Sequence, residues 1–199
     1  MDLSRLAAHD PVGVTGPSRE AAVLVPVVDR PDGPAVVFVK RADHLGEHAG
    51  QMAFPGGGAE PDDEDLLATA LREANEEVAL DPSTVEVVGR LDDIPTITDY
   101  SVRPFVARVP DAEFVPDGRE VAEVAILSVA DLTDPANYES ERRDDPRRGS
   151  FRIHYFHVDG YTVWGATGRM LVQFLELATD WRAPAEPDRV VDPDADFPV

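Results

Sequence analysis

Residues 56–80 read GGGAEPDDEDLLATALREANEEVAL: three glycines, an acidic loop, then a helical run that crowds Glu73, Glu76 and Glu77 onto its last turns. Carboxylates three and four residues apart repel one another, and negative charge near a helix C-terminus opposes the helix dipole. Each effect costs roughly 0.3–1 kcal/mol. A helix that accepts both needs a compensating charge from elsewhere. Leu67, Leu71, Ala74 and Val78 recur at spacings of four, three and four, which predicts an amphipathic helix with one apolar stripe. The three glutamates fall beside that stripe. The helix is therefore expected to pack on a sheet while holding a carboxylate patch at its edge, where the glycine-rich loop arrives. Such a patch suits Mg2+, a hard cation that takes oxygen ligands and shares them with substrate phosphates.

Composition narrows the chemistry further. A chain of 199 residues, 43% of them hydrophobic, is long enough for one sizeable core and need not be two domains. With no cysteine there is no disulfide framework, thiolate zinc site or cysteine nucleophile, so a metal would need oxygen or imidazole ligands. His44 and His48 lie four apart, but no third imidazole or thiolate follows at zinc spacing. No run reaches the ~18 apolar residues of a membrane span, and the N-terminus has no apolar signal region. A cytoplasmic protein with no membrane partner is expected. The net charge of −21 argues against a nucleic-acid partner, because phosphate backbones are bound by clustered Lys and Arg. It also means that acidic clusters are most often solvated surface here, so the weight of the argument rests on spacing.

Two β-rich runs, Ala22 to Val28 and Ala35 to Arg41, flank Asp32-Gly33-Pro34 and predict a hairpin ahead of the glycines. After the acidic helix, VEVVGRLDDIP and YSVRPFVARV read as strands, and VAEVAILSVADL as a strand running into a short helix. A charged loop, a strand around Phe151 to Val158, a turn at Asp159-Gly160 and a helix from about Gly165 follow. The ending RAPAEPDRVVDPDADFPV is rich in Pro and Asp, with too little apolar content for a core of its own. Strands mixed with two clear helices, without regular βα alternation, predict an α+β sandwich.

Spacing identifies the acidic helix. Gly58, Glu64 six positions on, Arg72-Glu73, an apolar residue, any residue, then Glu76-Glu77 match the Nudix box, and the chain resembles the Nudix hydrolases. One departure is Ala79, where the box carries glycine before the apolar Leu80. The resemblance implies a Nudix-type α/β/α sandwich with a mixed central sheet, spanning 22–182 between an N-terminal extension (1–21) and a C-terminal tail (183–199). It implies Mg2+ or Mn2+ held by Glu73, Glu76 and Glu77, and an Arg72–Glu64 pair that holds the loop against the helix. Glu73, Glu120 and Glu123 are the candidates for a general base, the latter two as further metal ligands.

Upstream, KRADHLGEHAGQMAFPGGG resembles the signature of the coenzyme A diphosphatase branch. Arg41-Ala42, Gly50 and Phe54-Pro55-Gly56-Gly57 match it, while Gly46 stands where the signature has a second arginine. By this resemblance the chain hydrolyses the diphosphate of coenzyme A or an acyl-coenzyme A, giving 3′,5′-ADP and (acyl-)4′-phosphopantetheine. Lys40, Arg41, His48, Phe54 and Gly57 are the substrate-binding candidates, with the arginines of ERRDDPRRG (Arg142, Arg143, Arg147, Arg148) as further cations. The partner expected is a small nucleoside diphosphate substrate, with the chain acting alone or as a homodimer. Two alternatives stay open: ADP-ribose or another nucleoside diphosphate derivative as substrate, or an inactive domain used as a binding module.

Overall fold

The computed structural model describes residues 1–199 except 47–48, 97, 147–148 and 198–199. The hairpin is the centre of the fold. Strand β1 (Arg19–Arg30) turns through Pro31-Asp32 into β2 (Gly33–Arg41), pairing Arg30 with Gly33, so Gly33 and Pro34 belong to the second strand rather than to the turn. Along β1, Ala21, Val25 and Val27 enter one apolar cluster while Ala22, Leu24 and Val28 enter another. Strict alternation with both faces apolar is what a central strand covered on both sides requires.

Around this hairpin lie β3 (Met52–Ala53), β4 (Gly56–Gly58), β5 (Glu86–Arg90), β6 (Ile94–Pro95), β7 (Tyr100–Val109) and β8 (Val121–Ser128), in an eight-stranded sheet whose main path runs β3-β2-β1-β7-β5. The β1–β7 pairing is parallel and the others are antiparallel, so the sheet is mixed. Helix α1 (Ser4–Ala7) begins the chain, and α2 (Leu66–Val78), the acidic helix, covers one face of the sheet. A one-turn α3 (Val129–Leu132) leads into a second sheet, ordered β11-β10-β9-β12, of β9 (Tyr138–Asp145), β10 (Gly149–Val158), β11 (Tyr161–Val163) and β12 (Arg189–Val191). That sheet and α4 (Gly165–Ala178) close the opposite face, where Tyr138, Phe156, Leu171 and Phe174 pack. The result is an α+β fold of the Nudix type.

Three sequence readings shift. The stripe that α2 buries is centred on Ala70, Ala74 and Val78, with Leu66 and Leu71 at its margin and Leu67 outside it. Small side chains let the helix lie close to the sheet, which is why alanine rather than leucine takes the centre. The expected charged loop is strand β9: Glu141 and Arg143, each 1% exposed, bond at 2.7 Å, and Glu141 also accepts from Tyr155 and Arg189. Lastly, the two chain ends are built into the body. Leu3 and Leu6 are buried in the core, β12 pairs with β9, and Arg143 donates to the carbonyls of Pro193, Ala195 and Asp196.

Candidate active site

The glycines come first because they set how closely loop and helix approach. Strand β4 lies antiparallel to the start of β1, pairing Gly56 with Val23 and Gly58 with Ala21. A Cβ on Gly56, whose φ is +157°, would stand 2.4 Å from the Ala22 carbonyl oxygen, and one on Gly57 would stand 2.4 Å from a Glu73 carboxylate oxygen. Only glycine fits at Gly56, where backbone stands in the way, whereas a side chain at Gly57 would displace the Glu73 carboxylate. The Gly56 N–H donates to Glu77 at 2.9 Å, so the loop holds one of the helix carboxylates directly.

Helix α2 is capped by Asp65, whose side chain accepts from Ala68 N–H at 2.8 Å. It ends at Ala79, which takes the left-handed conformation (φ 57°, ψ 29°) and keeps the cap bonds to Ala74 and Asn75. Alanine there costs about 1 kcal/mol relative to glycine, and the loop geometry survives the departure.

Arg72 is the clamp between loop and helix, but its partner is Asp63. The guanidinium grips Asp63 through two bonds, Nε to Oδ1 at 3.0 Å and Nη2 to Oδ2 at 3.1 Å, and reaches Gly58 O at 3.2 Å and Glu73 at 3.0 Å. Asp63 also accepts from Thr69 Oγ1 and Glu60 N–H, and its side chain is 8% exposed. The Arg72 guanidinium holds its carboxyl well below the usual range. Glu64, the partner that the family resemblance implies, is exposed and makes no such pair among the described residues. The loop turns between Asp63 and Asp65, which carries Glu64 outward. Asp63→Ala is therefore expected to destabilise the protein by about 1.5–3 kcal/mol, against at most about 0.5 kcal/mol for Glu64→Ala, as measured by urea unfolding.

Beyond the clamp, Glu77 is 5% exposed, and burial above all pushes its carboxyl up to about 8. The charges of Glu73 and Glu120 push the same way, while the Gly56 bond and the Arg41 charge oppose them. Glu73 is raised as well, by burial first, with Arg72 opposing and Glu76 and Glu120 adding to it. Glu73, Glu77 and Glu120 thus form one repelling set, with Glu76 exposed at its rim and 3.4 Å from Arg72. Among the described residues no three acidic or imidazole side chains stand as a ready-made coordination shell.

With loop, clamp and carboxylates in place, comparison with known proteins becomes decisive. The NUDIX domain family matches residues 18–147. This chain belongs to the Nudix hydrolases. A relative from Yersinia pestis, described as the uncharacterized Nudix hydrolase NudL, is 40% identical over 156 residues, 77% of each chain. Among solved structures, a MutT/Nudix family protein from Enterococcus faecalis superposes with a TM-score of 0.51 at 14% identity, covering 88% of this chain and 66% of that one, which bears on the fold alone. A Nudix hydrolase from Mycobacterium smegmatis, RenU, gives 0.49 at 25% identity, covering 58% and 73%. Hydrolases of this family use divalent metal ions and act on small nucleoside diphosphate derivatives.

The remaining candidates of this Nudix hydrolase divide between the two sheet faces. Arg41 follows Val37 and Val39 along β2 on the α2 side, and its charge reaches Glu77. Its Nε is buried without a hydrogen-bond partner among the described residues. Lys40 points the other way, in register with Glu123 across β8. In β8 the pairing skips Ala122, a bulge that returns Val121 to the α2 side and leaves Glu123 on the far face, where the Tyr161 hydroxyl bonds it. Glu123 is therefore not part of the carboxylate set, whereas Glu120 is. Phe54 is also no substrate contact: it is 2% exposed and stacked on Phe38 with ring centroids 4.9 Å apart, a core residue. Arg142 lies 3.4 Å from Asp144 and Arg143 is buried on Glu141, so neither offers a free cation. His48, Arg147 and Arg148 lie outside the described residues. Sequence reasoning missed Asp63, and its one signal is that Asp63 stands nine residues before Arg72, a single position from the residue the motif selects.

Proposed function

We propose that this Nudix hydrolase cleaves the diphosphate of coenzyme A or an acyl-coenzyme A, with Glu73, Glu76 and Glu77 holding Mg2+ or Mn2+. The donor set fits a hard divalent cation: all oxygen, with one carboxyl raised to about 8 by burial and by neighbouring acids, a cost that a cation removes. When bound, the metal ions would lower the pKa of an attacking water and neutralise charge on the diphosphate. Because Glu77 holds its proton near neutral pH, metal binding at pH 7 displaces that proton. Glu120, whose charge acts on both Glu73 and Glu77, is the proposed acceptor of the proton that water loses on attack, and Glu73 is the other candidate. Arg72 holds the loop and orients Glu73.

The observation that carries a phosphate-bearing substrate is Arg41, a guanidinium on the carboxylate side whose buried Nε has no partner among the described residues. A buried unpaired donor costs about 1–3 kcal/mol, and a substrate phosphate satisfies it. Coenzyme A in particular is supported by the Arg41-Ala42 … Phe54-Pro55-Gly56-Gly57 resemblance, although Phe54 and Gly56 are also required by packing. Gly46, where the signature has arginine, is outside the left-handed region and a Cβ there meets nothing, so the backbone does not enforce the departure. No helix among the described residues is long and apolar enough to cross a membrane.

Coenzyme A, acyl-coenzyme A and ADP-ribose assayed side by side with Mg2+ test the reading. Cleavage of coenzyme A into 3′,5′-ADP and 4′-phosphopantetheine is expected, with one of the two carrying label from ¹⁸O water. An inert coenzyme A alongside rapid cleavage of ADP-ribose would reassign the substrate to the nucleoside diphosphate sugars.

A further inference from the structure

The turn that carries Glu120 into β8 is organised by one side chain, Asp117. A single oxygen, Oδ1, accepts three consecutive backbone N–H groups, from Arg119 at 3.1 Å, Glu120 at 3.0 Å and Val121 at 2.9 Å. Oδ2 adds only longer contacts, to Glu120 N–H at 3.3 Å and to the Arg119 guanidinium at 3.4 Å. The reversal closes through Gly118, which takes φ +71° and donates its N–H to the Val121 carbonyl at 3.1 Å. Aspartate suits this place because its short side chain reaches backbone N–H groups just ahead of it in the chain.

The same residue is tied to α2. Its own N–H donates to the Glu77 carbonyl at 3.1 Å, and Val115 N–H donates to the Val78 carbonyl at 3.1 Å, so the loop ahead of β8 takes up carbonyls that the helix end leaves free. The Asp117 peptide is therefore fixed against the residue proposed as a metal ligand, while the Asp117 carboxylate fixes the peptide of Glu120. Glu120 needs such a brace. It is exposed, and its carboxylate has no hydrogen-bond or ion-pair partner among the described residues, yet its charge adds to the burial that raises the Glu73 and Glu77 carboxyls. A side chain without partners is placed by its backbone alone. Besides Asp117, the backbone of Glu120 is held by Ala42 N–H, which bonds the Glu120 carbonyl at 2.9 Å.

We infer that Asp117 is a positioning residue for the proton transfer: it fixes the Glu120 peptide relative to Glu77, so that the Glu120 carboxylate meets the attacking water. The role rests on the reading of Glu120 as proton acceptor. As the water oxygen forms the new P–O bond, its proton passes to Glu120 and the bridging P–O bond of the diphosphate breaks. Asp117 acts on this step only through Glu120. What it supplies is the acceptor oxygen at Oδ1 rather than its charge, and a displacement of about 1 Å in a reacting group is enough to cost about a hundredfold in rate.

A double-mutant cycle tests the role, run at saturating Mg2+ on whichever of coenzyme A and ADP-ribose the wild type cleaves. Glu120→Gln is expected to lower kcat by about a hundredfold or more, the usual effect of losing a general base. Asp117→Ala should lower kcat by about tenfold or more with KM within about twofold of wild type. Asp117→Asn, whose side-chain carbonyl keeps all three Oδ1 bonds, should stay within about threefold of wild type. In the Glu120→Gln background Asp117→Ala should cost less than about twofold further, because the group it positions is already gone. Mn2+ affinity, titrated calorimetrically without substrate, should be unchanged in Asp117→Ala, whose backbone N–H still reaches Glu77. Circular dichroism checks the fold of each variant, and if Asp117→Ala does not fold, Asp117→Glu, which keeps the charge but moves the acceptor by one methylene, replaces it with the same expected loss. An equal loss in both backgrounds, no loss, no rescue by Asp117→Asn, or weakened Mn2+ binding overturns the positioning role and leaves Glu120 as the acceptor. Wild-type turnover by Glu120→Gln instead overturns the proton-acceptor reading, and the positioning role with it. Which of the two substrates is cleaved decides the coenzyme A reading separately.

Discussion

Glu77→Gln is expected to lower kcat by more than about a hundredfold while leaving the protein folded. The carboxylate is buried, bonded by Gly56 N–H and proposed as a metal ligand; a carboxamide keeps the shape and one acceptor but loses the charge that draws the cation. The same substitution has a second, opposite consequence for the metal-free protein. The folded protein holds the Glu77 proton up to about pH 8, whereas an unfolded glutamate releases it near 4.5. Between those values the folded state binds the extra proton, so wild-type stability falls as pH rises through the window. Glutamine removes that dependence. Thermal midpoints measured in EDTA should be similar for the two proteins at pH 5 and higher for Glu77→Gln at pH 9. Glu123→Gln serves as the control on the far face, with kcat expected near that of the wild type. A Glu77→Gln enzyme that keeps near-normal rates at saturating Mg2+ would exclude the ligand assignment.

How much of this was legible in the sequence differs by element, for physical reasons. The glutamates of α2 were readable because a helix has a fixed period, so spacing alone places Glu73, Glu76 and Glu77 on one side. Asp63 was not, because a loop has no period. One residue of difference in where the chain turns decides whether Asp63 or Glu64 meets Arg72, and only packing of the loop on Gly58 and Thr69 selects it. The separation of Glu120 from Glu123 was hidden by the bulge at Ala122, which breaks the two-residue alternation on which strand readings depend. Strand β9 was disguised by its charges. Composition marks ESERRDD as solvated, and its burial depends on partners remote in sequence, Tyr155 and Arg189, that cover Glu141. Phe54 shows the reverse error, a motif residue whose identity is set by stacking on Phe38 rather than by a ligand.

Arg41→Ala should lower kcat/KM by about tenfold to a hundredfold, through two routes that can be separated. The first is direct: the guanidinium lies on the carboxylate side of β2 with a buried Nε that no described group satisfies, and a phosphate oxygen bonded there is worth roughly 1.5–3 kcal/mol. The second acts through Glu77. The positive charge of Arg41 favours the ionised carboxylate, so removing it raises the Glu77 pKa further above about 8. Metal then competes with a more tightly held proton, and the rising limb of the pH–rate profile moves to higher pH. If Arg41 serves only the substrate, KM rises with the limb unchanged; if it serves only Glu77, the loss shrinks as pH or Mg2+ is raised. Arg41→Lys distinguishes charge from geometry, because lysine restores the field at Glu77 but presents no planar fork, so the pH limb should return while KM stays elevated. An Arg41→Ala protein with unchanged kcat/KM at pH 7 would remove Arg41 from the site, and with it the observation that most directly supports a phosphate-bearing substrate there.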